Sequence, residues 1–486
     1  MVSRLDLSLL AAPHPPEGVR LPGYDVAGLR TGIVHLGLGA FHRAHQAVWT
    51  EDALGGEHWG ICAYTQRSDT AARRLAPQDG LYTLAERGPE AAPPRVVGVL
   101  REVRSAATDP VSVPERLADP AVTVVTLTVT EKGYRLTPAG RLDVRDPQVV
   151  RDAVLFADPD HRPRTVAGQL VAGLHRRRTR SGAPLTVVSC DNVPGNGRAV
   201  RAIVDDFCAL LPDGDGLAAW IDAHAAFPST TVDRIVPATT DADRADAARV
   251  LGADDHGTVV CEPYRQWVLE DRFAAPRPRW ERAGAVLTAD VRPHEQVKLR
   301  LLNATHSLIA YLGALAGHST IAAALDDPGI AEAARGLLAD DAAPAVAAPA
   351  GTDLTAYQDL VLARFRNPAL GHTTAQVAAD GSVKIPIRLL GTVQDRIAAG
   401  AEPHWAALAV AAWMVWAGRG TDRAGRRLAV RDPLCERLAA DGRLPTGDPS
   451  AFVDRFLARK EVFPARLRDD TVLRRLLVRH VRRLLR

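Results

Sequence analysis

Residues 31–45 read TGIVHLGLGAFHRAH, and this stretch decides the fold class. Thr31–Leu36 is a short apolar run typical of a buried strand, and the turn Gly37-Leu38-Gly39 leads from it into a helical pattern. A strand, a G-x-G turn and a helix predict a dinucleotide-binding unit, because the glycines let the backbone approach a pyrophosphate at the helix N-terminus. His42 replaces the third glycine of that fingerprint, so a tight turn without a ligand is the alternative.

The same turn and the strand that follows it supply the predicted cofactor contacts. Gly60–Thr65 is the second strand candidate, and in NAD enzymes an acid after this strand holds the ribose 2′-hydroxyl. Asp69 is the acid within reach, whereas Arg67 would suit the 2′-phosphate of NADP. We therefore predict NAD as the cofactor and leave NADP open. The predicted contacts on the two segments are Gly37, Gly39, Ala40, Phe41, Arg43, Arg67 and Asp69.

Two further apolar runs predict central strands whose carboxyl ends carry polar residues. Val122–Thr130 is β-branched at every position but Leu127, as expected for a parallel strand buried on both faces. Leu185–Ser189 is the other strand. Ligands of open α/β sheets bind beyond the carboxyl ends of the strands, although the same residue types also begin ordinary loops and turns. The candidates for the cofactor site at these two ends are Thr130, Glu131, Lys132 and Asn192.

A helical segment, Val297–Gly313 (VKLRLLNATHSLIAYLG), carries a second group of polar residues. At α-helical pitch, Lys298, Asn303 and His306 span an arc of roughly 140° and would point into one cleft. Burial disfavours an ammonium charge, which makes a lysine on such a helix a candidate base. A solvated helix rim is the alternative interpretation.

The chain changes character near residues 285–295, and from about residue 292 the pattern is helical almost to the end. We predict an α/β protein with a Rossmann-type NAD-binding domain over residues 1–288 and a mainly α-helical substrate and catalytic domain over residues 289–486. The helical segment with Lys298 would then line a cleft between the domains. The basic tail, Leu473–Arg486, is predicted to be an amphipathic helix with packed leucines and solvated arginines.

Composition limits the classes of partner. The chain has 486 residues, 24% charged residues and a net charge of +3, as expected for a globular enzyme that does not bind nucleic acid. The five cysteines are far apart, the N-terminus lacks a signal peptide, and the longest apolar run, Trp405–Ala417, is shorter than the ~20 residues of a membrane span. We predict a reduced cytoplasmic protein without a membrane partner. No metal site is predicted, because residues 294–298 (HEQVK) match the zinc motif H-E-x-x-H only up to its last residue.

Seven stretches occur together in a characteristic order. They are GLGAFHRAHQAVWTEDAL (37–54), QDGLYTL (78–84), TLTVTEKGYR (126–135), SCDNVPGNG (189–197), FPSTTVDRIVPAT (227–239), EPYRQWVLED (262–271) and VKLRLLNATHSLIAYLG (297–313). Over about residues 30–430 the chain closely resembles the mannitol dehydrogenase family, which comprises long-chain polyol dehydrogenases and keturonate reductases. The resemblance implies an N-terminal Rossmann-type domain, a mainly helical C-terminal domain, NAD(H) as the usual cofactor and metal-independent hydride transfer.

The resemblance also implies roles for individual residues. By motif, the general base of the family falls on Lys298, and two amides that hold the developing oxyanion fall on Asn192 and Asn303. Further matched positions are the substrate-positioning His306, Asp233 beside the active site and the substrate-contacting Lys384. The chain has Ala-Thr at residues 304–305 where the family commonly has Gly-Ser, which affects the shape of the pocket rather than the chemistry.

The resemblance leaves the substrate open between a sugar acid and a polyol. Arg265 and the segment Arg364–Leu390 are more similar to fructuronate and tagaturonate reductases than to mannitol enzymes. Arg265, Lys384 and Arg388 would supply positive charge for a uronate carboxylate, and structural ion pairs are the alternative for these cations. We predict interconversion of a secondary alcohol and a ketose or keturonate by a monomer or small homo-oligomer. A dehydrogenase of D-arabinitol or another polyol and a non-enzymatic nucleotide sensor are the alternatives.

Overall fold

The computed structural model describes residues 3–11, 16–137, 139–158, 161–442 and 448–486. The chain folds as two compact units, Met1–Val291 and Arg292–Arg486. Strands and helices alternate in the N-terminal unit, and the C-terminal unit is built from helices. The predicted fold class is therefore confirmed.

The N-terminal unit is organised around a six-stranded parallel sheet. The strands of the unit in chain order are Arg30–Leu36 (β1), Trp59–Thr65 (β2), Tyr82–Glu86 (β3), Arg95–Val97 (β4), Leu100–Ser105 (β5), Val124–Leu127 (β6), Leu185–Ser189 (β7), Ala225–Ala226 (β8), Thr230–Asp233 (β9), Val259–Cys261 (β10), Gln266–Glu270 (β11) and Val286–Thr288 (β12). The central sheet has the order β5-β2-β1-β6-β7-β8, and two smaller sheets have the orders β10-β3-β4 and β12-β11-β9. Because β2, β1, β6 and β7 are parallel neighbours, their carboxyl ends share one edge.

Both faces of the central sheet are covered, which explains its continuous apolar strands. In β1, Val34 and Leu36 pack into one apolar cluster and Ile33 packs into another. The helices of this unit are Leu7–Leu10 (α1), Ala40–Ala44 (α2), Gln46–Asp52 (α3), Thr70–Leu75 (α4), Ser112–Ala118 (α5), Pro147–Val154 (α6), Val166–Arg180 (α7), Asn196–Cys208 (α8), Gly214–His224 (α9) and Asp241–Leu251 (α10). Short 3-10 helices form at Ala76–Gln78, Glu131–Tyr134 and Trp280–Ala283.

The C-terminal unit contains α-helices interrupted by π-helical segments. The α-helices are Arg292–Val297 (α11), Ala304–Ala316 (α12), Ile321–Leu325 (α13), Pro328–Gly336 (α14), Leu354–Phe365 (α15), Thr374–Ala378 (α16), Gly381–Ile385 (α17), Gly391–Ala398 (α18), His404–Arg419 (α19), Cys435–Gly442 (α20), Pro449–Leu457 (α21), Ala465–Arg468 (α22) and Thr471–Leu484 (α23). The π-helical segments are Lys298–Asn303, Leu337–Ala342 and Pro386–Leu390, and 3-10 turns form at Ala343–Ala345 and Pro368–Leu370.

Helix α19 is the centre of this unit, since its residues from Ala406 to Gly418 are all buried. The basic tail forms α23 and buries Leu473, Leu476 and Leu477, while its arginines are exposed, as predicted. Within the described residues, no helix combines the length and apolar character needed to cross a membrane.

Candidate active site

The G-x-G turn has the geometry that a dinucleotide requires. Gly37 has φ +108°, and a Cβ there would lie 2.1 Å from the Thr128 carbonyl oxygen, so only glycine fits between β1 and β6. A Cβ on Gly39 would meet no atom closer than the Gly37 carbonyl oxygen at 3.7 Å. The Cβ direction of Gly39 is therefore open to a ligand, while that of Gly37 is blocked by the Thr128 carbonyl. This pair of glycines fits the pyrophosphate of a nicotinamide dinucleotide.

His42 occupies the position of the third glycine of the fingerprint, which usually allows the helix to pack closely on the strand. Its ring is buried and stacks on His35 of β1 with 3.4 Å between centroids. His35 is held in turn by Thr126 at 2.8 Å and Thr128 at 3.0 Å. Burial first, and then the nearby charges of His35 and Arg43, place the pKa of His42 well below its usual value. A flat neutral imidazole thus packs against β1 at the position where the fingerprint normally has a glycine.

A cavity of about 330 Å³ opens at the carboxyl end of β2. Its lining includes Arg43, Arg67, Ser68, Arg74 and His256, and no carboxylate contributes to it. The Arg43 guanidinium donates through Nε to the Gly39 carbonyl oxygen at 3.2 Å and through Nη1 to the Gly257 carbonyl oxygen, so it lies beside the glycine turn.

Three other predicted contacts, Asp69, Ala40 and Phe41, lie on these two segments. The side chain of Asp69 pairs with Arg73 at 3.1 Å and is not part of the cavity lining. Ala40 begins α2, and Phe41 is half-buried with its ring stacked on His45, 5.1 Å between centroids.

The β6 strand is shorter than predicted and leaves the sheet after Leu127. Thr128 instead donates through its hydroxyl to the Gly37 carbonyl oxygen at 2.8 Å, which ties the end of β6 to the glycine turn. Thr130 has φ 67° and ψ 160°, a conformation that costs a residue other than glycine about 1–3 kcal/mol and is common at functional sites. Glu131 and Lys132 are exposed and begin a 3-10 turn at the same edge of the sheet.

The end of β7 is cross-linked to this segment by a residue that the sequence analysis did not single out. Asp191 is 9% exposed and accepts hydrogen bonds from the Thr130 N–H at 2.8 Å, the Val129 N–H at 3.0 Å and the Tyr134 hydroxyl at 2.7 Å. Asn192, the predicted oxyanion ligand, comes next and is exposed. The signal that could have found Asp191 is an acidic residue directly after a buried parallel strand.

Asn196 was also missed, and it joins β7 to β9. Its side-chain amide donates to the Asp191 and Thr230 carbonyl oxygens, both at 3.0 Å, and its Oδ1 accepts from the Thr230 N–H at 2.9 Å. Asp233, the last residue of β9, is 6% exposed. The neighbouring Arg234 pairs with Glu86 at 2.6 Å.

Arg265 lies elsewhere in the N-terminal unit, in a cavity of about 300 Å³ with Arg20, Asp52 and Arg95. Its Nη1 is 2.7 Å from Asp52 Oδ2, and its guanidinium lies 4.2 Å from the centre of the Trp49 ring. Arg265 is therefore already engaged by a carboxylate and an aromatic face, which agrees with the alternative interpretation, a structural ion pair. Its contact with substrate stays a prediction.

In the C-terminal unit, the α-helical pitch predicted for residues 297–313 is wrong at its start, because Lys298–Asn303 forms a π-helix. Hydrogen bonds in a π-helix join residues five apart, so residues i and i+5 lie above one another as i and i+4 do in an α-helix. Lys298 and Asn303 are five apart. The π-helix thus brings the predicted base and the predicted amide closer to one face than the predicted arc of roughly 140°. Lys298 is 5% exposed.

His306 lies one turn further, on α12, within an aromatic and cationic environment. Its ring stacks on Phe365 at 4.5 Å and meets the edge of His372 at 4.9 Å, measured between centroids. Burial first, and then the charges of His372, Arg388, Arg364 and Lys384, place the pKa of His306 well below its usual value. The imidazole is therefore neutral near pH 7, with one nitrogen able to donate and the other able to accept.

Arg388 supports the π-helix from the adjacent π-helical segment. Its Nη1 donates to the Ser307 hydroxyl at 3.0 Å and to the Asn303 carbonyl oxygen at 3.3 Å. The Ser307 hydroxyl also donates to that carbonyl at 3.1 Å, so the oxygen is satisfied where the helix changes pitch. Lys384 donates through Nζ to the Val377 carbonyl oxygen at 3.2 Å. Lys298, Asn303, His306, Lys384 and Arg388 are thus gathered in the C-terminal unit.

The described residues contain no group of three or more His, Cys, Asp or Glu side chains placed to hold a metal ion.

Comparisons with known proteins cover nearly the whole chain. A family model described as the mannitol dehydrogenase Rossmann domain matches residues 31–282, and one described as the mannitol dehydrogenase C-terminal domain matches residues 290–485. The Escherichia coli protein named uncharacterized oxidoreductase YeiQ is 42% identical over 96% of this chain and 94% of its own length. The E. coli D-mannonate oxidoreductase is 41% identical over 86% of each chain. The solved structure of Pseudomonas fluorescens mannitol 2-dehydrogenase, a ternary complex with NAD and D-mannitol, is similar with a TM-score of 0.87, at 36% identity over 99% of this chain and 98% of that one.

Proposed function

This chain belongs to the mannitol dehydrogenase family of oxidoreductases, and from that premise we propose a reaction, a substrate class and roles for its residues. The protein interconverts a secondary alcohol and a ketone on a small sugar derivative, with hydride transfer to or from a nicotinamide nucleotide. The N-terminal unit binds the nucleotide, and the C-terminal unit supplies the base and the substrate contacts.

The observation that carries this proposal is the π-helix Lys298–Asn303 running directly into α12 with His306. Because residues five apart lie near one another along a π-helix, this segment supports a joint role for the Lys298 amine and the Asn303 amide, with the His306 imidazole one turn away. Oxidation of a sugar alcohol needs a proton acceptor, a hydrogen-bond donor to the developing alkoxide and a group that orients a neighbouring hydroxyl of the substrate. These three residue types meet those three needs.

The reaction follows from these roles. When bound, the nicotinamide ring supplies the hydride acceptor for oxidation. The Lys298 amine takes the proton of the substrate hydroxyl and, as an ammonium, returns a proton to the oxygen during reduction. The side-chain amides of Asn192 and Asn303 each donate an N–H to the alkoxide without titrating themselves. The neutral imidazole of His306 orients a second hydroxyl of the substrate.

A substitution of Lys298 tests this proposal. Lys298→Met keeps the length and apolar stem of the side chain and removes the base, so we expect kcat to fall at least ~10²-fold, the usual contribution of general-base catalysis. Binding of NADH, measured by fluorescence titration, should be retained. Lys460→Met, at an exposed position, is the control for loss of a lysine charge. Turnover by Lys298→Met near that of the control would remove Lys298 from the mechanism.

We propose a sugar acid as the substrate class. The supporting observation is that three cationic side chains, Arg388, Arg364 and Lys384, act on His306 in this unit, which favours an anion beside it. The relative named D-mannonate oxidoreductase acts on such a carboxylate, whereas mannitol, bound in the solved structure, is uncharged. Lys384 and Arg388 are the proposed carboxylate ligands in this unit.

A substrate panel distinguishes the two classes. We expect reduction of D-fructuronate or D-tagaturonate with kcat/KM at least about tenfold above that for D-fructose, because a charge-assisted hydrogen bond contributes about 1.5–3 kcal/mol. Lys384→Gln should raise KM for the keturonate roughly tenfold or more and change KM for D-fructose much less. A preference of the wild-type protein for D-fructose would reassign it as a polyol dehydrogenase.

We also propose that the cofactor site accepts NADP(H) in addition to NAD(H). The cavity after β2 is lined by Arg43, Arg67 and Arg74 and by no carboxylate, while Asp69 pairs with Arg73. A 2′-phosphate fits such a lining, since an arginine at this place accommodates it in Rossmann folds. Calorimetric titration with NADPH and NADH measures the preference. Arg67→Ala should weaken NADPH binding about tenfold and leave NADH binding nearly unchanged, whereas equal losses for both nucleotides would exclude this role.

A further inference from the structure

The carboxylate of Asp191 is buried, although filling the space at this position does not require a charged side chain. Burial raises the pKa of this group to about 6, and the hydrogen bonds from Tyr134, Thr130 and Val129 act in the opposite direction. An uncharged residue would avoid the cost of burying a charge. The carboxylate has two oxygens, however, and three donors from residues 129–134 converge on them. No neutral side chain of the same size offers acceptors to all three.

The donors belong to the segment that leaves β6. Thr130 has φ 67° and ψ 160°, and such a conformation persists in a residue with a Cβ only where surrounding contacts hold it. The Thr130 N–H donates to Asp191 Oδ1. Tyr134, at the end of the following 3-10 turn, donates to Oδ2 of the same carboxylate and is within 2.6 Å of the Ser189 hydroxyl. Both ends of the turn are therefore tied to β7.

The cross-link lies where it can act on the reaction. Strands β6 and β7 are neighbours in the parallel sheet, and Thr126 pairs with Val188 and Leu127 with Ser189. Their carboxyl ends form the edge at which a nucleotide binds. Asn192, the proposed oxyanion ligand, is the residue after Asp191. A movement of Asp191 would therefore shift the backbone that carries Asn192.

We propose that Asp191 is a positioning residue for hydride transfer, in which its carboxylate holds the strained Thr130 segment and the Asn192 backbone in the arrangement that binds the nicotinamide half of the cofactor. This inference rests on the proposed function. Asp191 touches neither substrate nor cofactor in this role, and it acts through Thr130 and Asn192.

Asp191→Asn is the direct test, and Asp152→Asn is its matched control. Asp152 is also a buried carboxylate, accepting from the Thr165 N–H at 2.8 Å and the Thr165 hydroxyl at 2.7 Å, but it joins α6 to α7. Both variants should lower Tm by similar amounts. Only Asp191→Asn should lower kcat roughly tenfold or more and raise the Kd for NADH at least about threefold. The side-chain NH₂ of the new asparagine would face the N–H of Thr130 or Val129, so one of these donors would lose its acceptor. Equal effects of the two variants on kcat and Kd would reduce Asp191 to a structural residue.

A double-mutant cycle tests the path through Thr130. Glycine adopts φ 67° without strain. The fold-loss of kcat caused by Asp191→Asn should therefore be at least about fivefold smaller in a Thr130→Gly background than in the wild type. The same loss in both backgrounds would contradict the proposed path.

If Asp191→Asn does not fold, a milder variant answers the question. Tyr134→Phe removes one donor and should raise the Kd for NADH at least about threefold. Tyr24→Phe, which removes the hydroxyl that donates to Glu51 at 2.5 Å, is its control and should leave that Kd unchanged.

The failure of this inference is distinguishable from failure of the proposed function. A wild-type protein that binds neither NADH nor NADPH would refute both. A wild-type protein that binds and turns over, with Asp191→Asn equal to Asp152→Asn in Kd and kcat, would refute the positioning role alone.

Discussion

The two glycines of the G-x-G turn should respond to alanine in opposite ways. At Gly37 the added Cβ would lie 2.1 Å from the Thr128 carbonyl oxygen and 2.6 Å from its carbonyl carbon, and the residue has φ +108°. At Gly39 the nearest atom to the added Cβ is 3.7 Å away, and φ is −122°. Gly37→Ala therefore perturbs the fold, whereas Gly39→Ala places a methyl group on the ligand side of the turn.

The size of each effect follows from these distances. For Gly37→Ala, ordinary contact begins near 3.4 Å, so the end of β6 must move by more than 1 Å. Positive φ costs about 1–3 kcal/mol and a forced shift of packed backbone about 1–3 kcal/mol, together about 2–6 kcal/mol. At roughly 2–4 °C per kcal/mol this lowers Tm by roughly 4–24 °C. Gly39→Ala should change stability by less than about 1 kcal/mol, because alanine adopts its backbone conformation without strain.

Two measurements on the same pair of proteins check this reasoning. Calorimetry should show the loss of Tm in Gly37→Ala and a Tm within about 3 °C of wild type in Gly39→Ala. Titration with NADH should show binding weakened at least about tenfold in Gly39→Ala, because the methyl group holds the pyrophosphate away from the backbone. Wild-type stability of Gly37→Ala, or wild-type NADH affinity of Gly39→Ala, would refute the argument.

Three further predictions concern buried polar groups. Burial lowers the pKa of His35 to about 3, so the unfolded chain takes up its proton first and stability is lost as the pH falls below about 6.5. Urea titrations at pH 7 and pH 5 measure how much free energy of unfolding is lost between the two, and His35→Asn should make this loss smaller by about 2 kcal/mol. An equal loss in the variant and the wild type would contradict this. Arg177 donates to four backbone carbonyl oxygens at 2.7–2.9 Å, so Arg177→Lys should lower stability by about 3 kcal/mol or more, against less than about 0.5 kcal/mol for the half-buried Arg178→Lys. Asp341 accepts from the first N–H groups of α19 at 2.7 and 2.8 Å, so Asp341→Ala should cost about 1–2 kcal/mol by thermal melting, and a cost no larger than that of exposed Asp340→Ala would contradict the capping role.

The fold class was predictable because its signals are local. A strand, a G-x-G turn and a helix are adjacent in the sequence, and the buried strands β6 and β7 are recognisable from continuous apolar runs. The exact end of β6 was not predictable. Thr128 has the β-branched side chain of a strand residue, but its hydroxyl bonds to His35 of β1 and to Gly37 in the turn after it, which are distant in sequence.

The residues of the candidate site could also be proposed from the sequence, whereas the residues that hold them in position could not. Lys298, Asn303 and His306 lie within one short segment, so their grouping needs only helical spacing. Asp191 bonds to a segment about 60 residues earlier in the chain. Its role emerges only when β6 and β7 become neighbours, since no local pattern marks which acid after a strand will be buried.

By itself, the sequence determined the order of elements, the division into an α/β part and a helical part, and the polar residues available for chemistry. These depend on periodicity, glycine and proline, which act over a few residues. Only the tertiary structure decided that Lys298–Asn303 is a π-helix, that His42 packs where a glycine was expected, and that Arg265 is engaged by Asp52. The π-helix and the Arg265 pair involve residues far apart in sequence, such as Arg388 at the Asn303 carbonyl, and the free energy of such contacts outweighs local preference.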